Sequence, residues 1–285
     1  MVELLLDFPA LGYGDVICLQ PAIDLMQRRG WSVAVRANNP GLESLLKILG
    51  ARWVPFWYEP QKELYLRVQG IACEFERRPD VNGNRAKAYL MAVGANGDAL
   101  NVSPRLDRSQ LPSINQPTPD GIFIQLYAAE PYKQMSDSWY RRFVKLATLR
   151  GIKLWSIVQP GILDEMRSKY PEVRVLSGGH DVTKALSLFS GAEAAFVLCS
   201  MWLQAAGSLG VPGIAALGPT ASPGRIVGYP TVISAPNPCE YCPCWRVSNV
   251  VCKLTGGLVS KCLEDLNPAN MLDLLLEQVN RWRPV

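Results

Sequence analysis

The stretch VELLLDFPALGYGDVICLQPAIDLMQRRGWSVAVRA, residues 2–37, decides the fold. A short apolar run leads through a glycine-bearing turn into residues 15–29, where apolar side chains recur at helical spacing, and then into a second apolar run, SVAVRA. Strand, turn, helix and strand make a βαβ unit, and continuous apolar strands are what a parallel sheet covered on both faces requires. The alternation goes on, with residues 40–49 reading as the next helix and RWVPFW, residues 52–57, as the next strand. After the proline-rich, polar stretch LPSINQPTPDG, residues 111–121, it resumes. IFIQLYA, IKLWSIV, VRVLS, AAFVLCS and GIAALG read as buried strands, with helices over residues 137–149, 181–190 and 202–208. Residues 111–121 are the natural linker, which gives an α/β chain of two Rossmann-like domains, residues 1–117 and 118–285, facing a cleft.

Composition bounds the function. With 48% of its 285 residues hydrophobic, the chain can bury a substantial core. Its formal charge of +4, from 29 basic and 25 acidic residues, is not the field of a dedicated nucleic-acid or membrane-surface binder, and it suits an anionic substrate. MVELLLDF, residues 1–8, carries Glu3 and Asp7 and no basic n-region, so it reads as a buried strand rather than a secretory signal. The most apolar region, residues 188–218, is broken by Glu193, several glycines and Pro212, and falls short of the roughly 18 apolar residues of a membrane span. The expected location is cytoplasmic. A single histidine, His180, excludes a multi-histidine metal centre, and its SGGHD setting reads as a solvated turn. Neither G-x-G-x-x-G nor G-x-x-x-x-G-K-[ST] occurs, so the dinucleotide fingerprint and the P-loop are absent.

Three segments carry candidate chemistry. Gly14-Asp15 follows the first strand, and a carboxylate at the carboxyl end of a parallel strand lies where α/β proteins bind ligands and can take a proton from a hydroxyl. The structural alternative is that Asp15 only caps the following helix. In LYAAEPYKQMSDSW, residues 126–139, Lys133 is a compact cation able to balance phosphate charge, or else a solvated surface lysine. In LCSMWLQAAGSLGVPGIAALGPT, residues 198–220, a helix starting near Ser200 offers backbone N–H groups and a partial positive charge to a diphosphate.

Together these segments resemble glycosyltransferase family 9, the bacterial lipopolysaccharide heptosyltransferase family, and the resemblance covers most of the chain. It implies the GT-B architecture, with Asp15 as general base on the acceptor and Gly14 beside it. It also implies Lys133, followed by Trp139, on the donor phosphates, and Ser200, Met201, Gln204 and Thr220 lining the donor site. The family pattern Asp-Ser/Thr-Gly-x-x-His departs here: Cys199 stands for Asp, Met201 for Gly and Gln204 for His, while Ala128 and Ala129 replace hydroxyl residues before the lysine. The donor implied is a nucleotide-diphosphate sugar, the acceptor a glycan or lipid-linked glycan, and no catalytic metal is implied.

Eight cysteines remain to be placed. Cys18 and Cys73 sit in apolar surroundings and read as core filler. Cys239, Cys242, Cys244, Cys252 and Cys262 form a cysteine cluster similar to one found in many family 9 relatives. A C-x2-C step suits tetrahedral zinc, for which any four of the five would serve structurally; iron–sulfur ligation and reduced or disulfide-linked thiols are the alternatives. Aromatic residues of WVPFWYEP would serve either an acceptor platform or packing. The reading is a heptosyltransferase-like glycosyltransferase with a degenerate donor motif. Its rivals are a binding or scaffold protein that keeps the fold and, less supported by the modest charge, a glycosyltransferase acting on a nucleic-acid base.

Overall fold

The first βαβ unit forms as its sequence predicts: β1 (Glu3–Asp7) and β2 (Ser32–Arg36) pair in parallel, with α1 (Tyr13–Arg28) crossing between them. In this computed structural model the described residues are 3–9, 11–59, 64–68, 72, 75, 78, 81, 84–95, 102–179, 181–221, 225–226, 228–237, 239–244 and 252–282. Cys73 and His180 lie outside them. A short α2 (Glu43–Ile48) precedes β3 (Arg52–Val54), and β4 (Leu64–Arg67) and α3 (Arg85–Ala92) follow. The four strands form a parallel sheet in the order β3-β2-β1-β4.

The second sheet collects β5 (Ile122–Ile124), β6 (Leu154–Val158), β7 (Val173–Ser177), β8 (Ala194–Leu198), β9 (Gly213–Ala216) and β10 (Val232–Ser234) in the order β10-β9-β8-β5-β6-β7, again parallel. Between them run α4 (Asp137–Leu149), α5 (Leu163–Lys169), α6 (Val182–Ser190) and α7 (Met201–Leu209), and after β10 come α8 (Lys261–Glu264) and α9 (Pro268–Trp282). Several strands are shorter than their apolar runs suggest. RWVPFW ends as strand at Val54, and IFIQLYA at Ile124, because the residues beyond each leave the ladder to become the loops at the carboxyl ends.

In each sheet the strand order reverses once, at β1/β4 and at β5/β8, and α/β sheets bind ligands at the carboxyl side of such switch points. A continuous core ties the two sheets together through α1 and α7, running from Leu6, Val16 and Ile17 to Phe123, Trp155 and Leu203. A second core fills the other face of the six-stranded sheet, where Trp139 stacks on Phe143 and Phe196 at centroid distances of 5.2 and 5.1 Å under α4 and α9. Residues 111–121 have neither helix nor strand, but they are not a free tether. Ser187 Oγ donates to Pro112 O, and Thr118 Oγ1 donates to Leu188 O, so the segment lies along α6. Among the described residues no helix is long and apolar enough to cross a membrane.

Candidate active site

The two switch points face one cavity of about 470 Å³. Its wall includes Gly14 and Asp15 from the first sheet's side, and Lys133, Ser200, Met201, Gln204 and Thr220 from the second's. Every non-cysteine site residue expected from the sequence is therefore brought to one place.

Asp15 occupies the third position of α1, not the N-cap, which is Gly12. Its Oδ2 accepts the Gly12 N–H at 3.1 Å, so it satisfies one orphan donor of the helix start without being the cap residue itself. Oδ1 is ion-paired with Arg85 and accepts the Tyr89 hydroxyl at 3.2 Å. Both partners come from α3, one turn apart. The sequence reading missed them, although a signal was present: Arg85 opens a helix, where a cation opposes the macrodipole and needs another reason to be there.

Gly14 permits a close approach of the two halves. A Cβ there would lie 3.3 Å from Met201 Cα and 3.5 Å from Met201 N, so the first turns of α1 and α7 nearly touch. Both helices consequently aim their N-termini, with unpaired N–H groups and partial positive charge, at the same cavity.

Lys133 closes a 3-10 turn after β5, and only 20% of its side chain is exposed, so it is part of the wall rather than a solvated surface lysine. Its Nζ lies 3.0 Å from Glu130 Oε2. Burial works against the charge, but the Cys199 sulfur and the Glu130 carboxylate outweigh it and hold the ammonium above the ordinary lysine range. Arg225, also missed in the sequence, adds a third cation to Arg85 and Lys133, against the two carboxylates of Asp15 and Glu130.

Ser200 caps α7, accepting the Trp202 N–H at 3.1 Å while donating its own hydrogen to Gln125 Oε1 at 2.8 Å. Thr220 Oγ1 donates to Leu217 O at 2.6 Å. Both hydroxyl hydrogens are thus engaged inside the protein, and what α7 offers a ligand is its backbone N–H groups. Gln204 is buried in the wall, and Cys18 is more than core filler, since its thiol donates to Gln204 Oε1 at 3.2 Å.

A second cavity of about 540 Å³ opens beside the first, at the carboxyl ends of β5, β6 and β7. The two share Tyr13, Ala128, Ala129, Ser200 and Met201. Met201, at the position where the sequence resemblance expects glycine, is therefore part of a partition between a charged chamber and a largely apolar one.

The cysteine loop braces this arrangement from outside. Cys244 N–H donates to Pro219 O at 3.0 Å, Asn237 Nδ2 to Gly218 O at 3.1 Å, and Ser260 Oγ to Tyr132 O at 2.5 Å, beside Lys133. Among the described residues, Cys239, Cys242, Cys244, Cys252 and Cys262 form no disulfide. Cys242 and Cys262 sulfurs are 3.9 Å apart, close to the roughly 3.8 Å edge of a tetrahedron of thiolates about zinc. Among the described residues, however, no set of three or more His, Cys, Asp or Glu side chains converges closely enough to hold a metal ion. Burial pushes the Cys242 thiol up to about 11, and burial with the Cys242 neighbour raises Cys262. At Cys252 the cost of burial is outweighed by hydrogen bonds from the Lys261 and Leu254 backbone, and the thiol sits below its ordinary range. Of the WVPFWYEP aromatics, Trp53 is anchored by its indole N–H on Ala37 O at 3.2 Å, whereas Trp57 is 81% exposed.

No family model matches the sequence, and no curated protein matches it. Solved structures do. The chain is similar to the E. coli ADP-heptose lipopolysaccharide heptosyltransferase II, at 13% identity and a TM-score of 0.69, with 100% of both chains covered. It is also similar to TibC, an iron-containing dodecameric heptosyltransferase of enterotoxigenic E. coli solved in complex with ADP-D-β-D-heptose, at 13% identity and a TM-score of 0.70, with 98% of this chain and 76% of that one covered. A family 9 glycosyltransferase from Veillonella parvula matches at 11% identity and a TM-score of 0.65, over 98% and 97% of the two chains. The mixed α/β fold with parallel sheets is the one these glycosyltransferase structures share.

Proposed function

We propose that the protein is a glycosyltransferase that moves a sugar from a nucleoside-diphosphate donor to an acceptor hydroxyl. Residues 1–117 form the acceptor-side domain and residues 118–285 the donor-side domain, with the cavity as the cleft between them. The observation that carries this reading is the convergence of Asp15 from one sheet with Lys133 and the α7 N-terminus from the other. The acceptor oxygen attacks the anomeric carbon, forming the new glycosidic bond. The bond from that carbon to the phosphate oxygen breaks, its electron pair leaves with the nucleoside diphosphate, and the hydroxyl proton passes to Asp15. Oδ2 keeps a lone pair for this beyond the one that takes the Gly12 N–H.

Lys133 and the backbone N–H groups of α7 balance the charge that develops on the leaving diphosphate. The neighbouring apolar chamber takes the nucleoside, with Ser200 and Met201 at the junction and Thr220 on the phosphate side. Heptosyltransferase neighbours support ADP-heptose as the first donor to try and a glycan or lipid-linked glycan as acceptor, handled in the cytoplasm. Four of the five clustered cysteines would hold a structural metal that clasps the loop bracing Lys133 and Thr220. The 3.9 Å sulfur pair supports this, and no step of the transfer passes through it.

One feature favours the rival reading of a binding protein without turnover: both Asp15 oxygens are already engaged, by Gly12, Arg85 and Tyr89. A thermal-shift panel of ADP, UDP, GDP and ADP-heptose, followed by product release from any sugar nucleotide that binds, separates the two. An enzyme both binds and releases, a scaffold only binds, and no shift with any of them sinks the donor site itself.

A further inference from the structure

Gln204 is held in the cavity wall by its oxygen. Oε1 accepts the Tyr229 hydroxyl at 2.5 Å and the Cys18 thiol at 3.2 Å. The two anchors arrive from different parts of the chain, Cys18 from α1 and Tyr229 from the segment leading into β10, and both are buried. The Tyr229 ring packs on the bare Cα of Gly207, one turn along α7 from Gln204, where a Cβ would come within 2.1–2.4 Å of three ring carbons. Burial, with Cys18 nearby, holds the phenol well above its ordinary range, so it remains a donor at any working pH. A carboxamide has one acceptor oxygen and two N–H donors, and turning it over would take from the buried Tyr229 hydroxyl hydrogen the acceptor it now has.

We propose that Tyr229 and Cys18 are positioning residues that fix the Gln204 carboxamide with its Nε2 amide toward the cavity, as a donor to the oxygens of a bound diphosphate. This rests on the donor-site reading above. Such a donor carries no charge and needs no proton, so it is available at every pH, whereas an imidazole at the same place would donate from both nitrogens only when protonated. Preorganisation is the physical content of the arrangement: an amide already aimed pays no reorientation cost when the anion arrives.

Calorimetric titration of the intact protein with ADP tests this. Gln204→Ala should weaken binding by about 10-fold to 100-fold, the equivalent of one hydrogen bond to a charged group. Tyr229→Phe keeps the ring on Gly207 and removes only the hydroxyl, and should weaken ADP by about 3-fold to 10-fold with little change in melting temperature. The decisive arm is the double variant, which should bind no more weakly than Gln204→Ala alone, since Tyr229 acts through that amide. Cys18→Ser, which keeps a donor, should bind as the parent does, and Cys18→Ala should lose affinity; this pair serves if Tyr229→Phe folds poorly. Additive losses in the double variant, or unchanged affinity in both Tyr229→Phe and Cys18→Ala, overturn the positioning role while leaving the donor site standing. Failure of the parent protein to bind ADP or any other nucleoside diphosphate overturns both.

Discussion

Asp15→Asn separates catalysis from structure because the structural share can be bounded. Asparagine keeps one acceptor oxygen for the Gly12 N–H, and its Nδ2 amide, standing where Oδ1 was, can donate to the Tyr89 hydroxyl oxygen, so the start of α1 keeps its hydrogen bond. What is lost is charge. The ion pair with Arg85 has side chains 21% and 27% exposed, and a pair so placed contributes roughly 0–1 kcal/mol. A carboxylate in the first turn of a helix adds about 0.3–1 kcal/mol. The sum is about 0.3–2 kcal/mol, a fall of roughly 1–6 °C in melting temperature for a chain of this size. Losing a positioned base, in contrast, lowers turnover by roughly 10²-fold to 10⁴-fold, about 3–5 kcal/mol in the barrier. Release of nucleoside diphosphate from a donor that binds, measured beside melting temperature and donor affinity on the same preparation, reads both scales at once. Turnover per folded molecule within about threefold of the parent, at unchanged donor affinity, would refute the base assignment and leave Asp15 as a helix-start carboxylate.

Three further outcomes follow from the same geometry. Lys133→Ala should abolish most of the nucleoside-diphosphate thermal shift; because the parent lysine titrates above its ordinary range, its cation is fully present at lower pH and lost only as pH rises through that raised value, so diphosphate affinity should show no Lys133-dependent decline between pH 7 and about 9.5. Gly207→Ala drives a methyl into the Tyr229 ring and should cost about 3 kcal/mol in denaturant unfolding, and an unaltered midpoint would place the ring elsewhere. Iodoacetamide on chelator-treated protein at pH 8 should alkylate Cys252 before Cys242 and Cys262, whose thiols are held protonated, and added zinc should slow alkylation and bind near stoichiometrically in elemental analysis; equal rates with no metal retained would leave the cluster as plain thiols.

The parts of this structure that the sequence announces are those governed by local periodicity. The helix predicted over residues 137–149 forms over Asp137–Leu149, and VRVLS forms a strand over Val173–Ser177, because a 3.6 or 2.0 repeat with a clear apolar face leaves one way to bury it. Strand ends were less legible. Apolar residues such as Leu126 are buried in the loop beyond β5 as thoroughly as residues within the strand, so hydrophobicity alone gives no stopping point. Residues 111–121 show the same limit: proline and polarity mark the irregular backbone that is found there, and only the fold reveals that Thr118 and Pro112 are pinned to α6. The site shows the same division. Asp15, Lys133 and Ser200 announce themselves through position after a strand, but Arg85 and Arg225 in the wall, and Tyr89 and Tyr229 behind Asp15 and Gln204, come from elements whose own sequence gives no such cue beyond the misplaced charge of Arg85.

The modest net charge and the anionic ligand are reconciled by where the charge is placed. Across the whole chain the excess is +4, spread over 285 residues. At the cavity, Arg85, Lys133 and Arg225 face Asp15 and Glu130, and two helix N-termini add their partial charges, that of α1 partly answered by Asp15 in its first turn. Those dipoles can point at one place only because Gly14 lets the first turns of α1 and α7 come within contact distance, which ties the electrostatics of the site to a missing side chain. The departures Cys199 and Gln204 fit this arrangement. At position 199, where the resemblance expects a carboxylate, the Cys199 sulfur also helps hold the Lys133 ammonium in its charged form. An imidazole at position 204 would tie affinity to pH, whereas an amide anchored by Tyr229 and Cys18 does not. The one titratable group replaced by a neutral side chain is thus the imidazole at position 204, and the amide there is held by its buried partners while the cations and helix dipoles of the cavity remain.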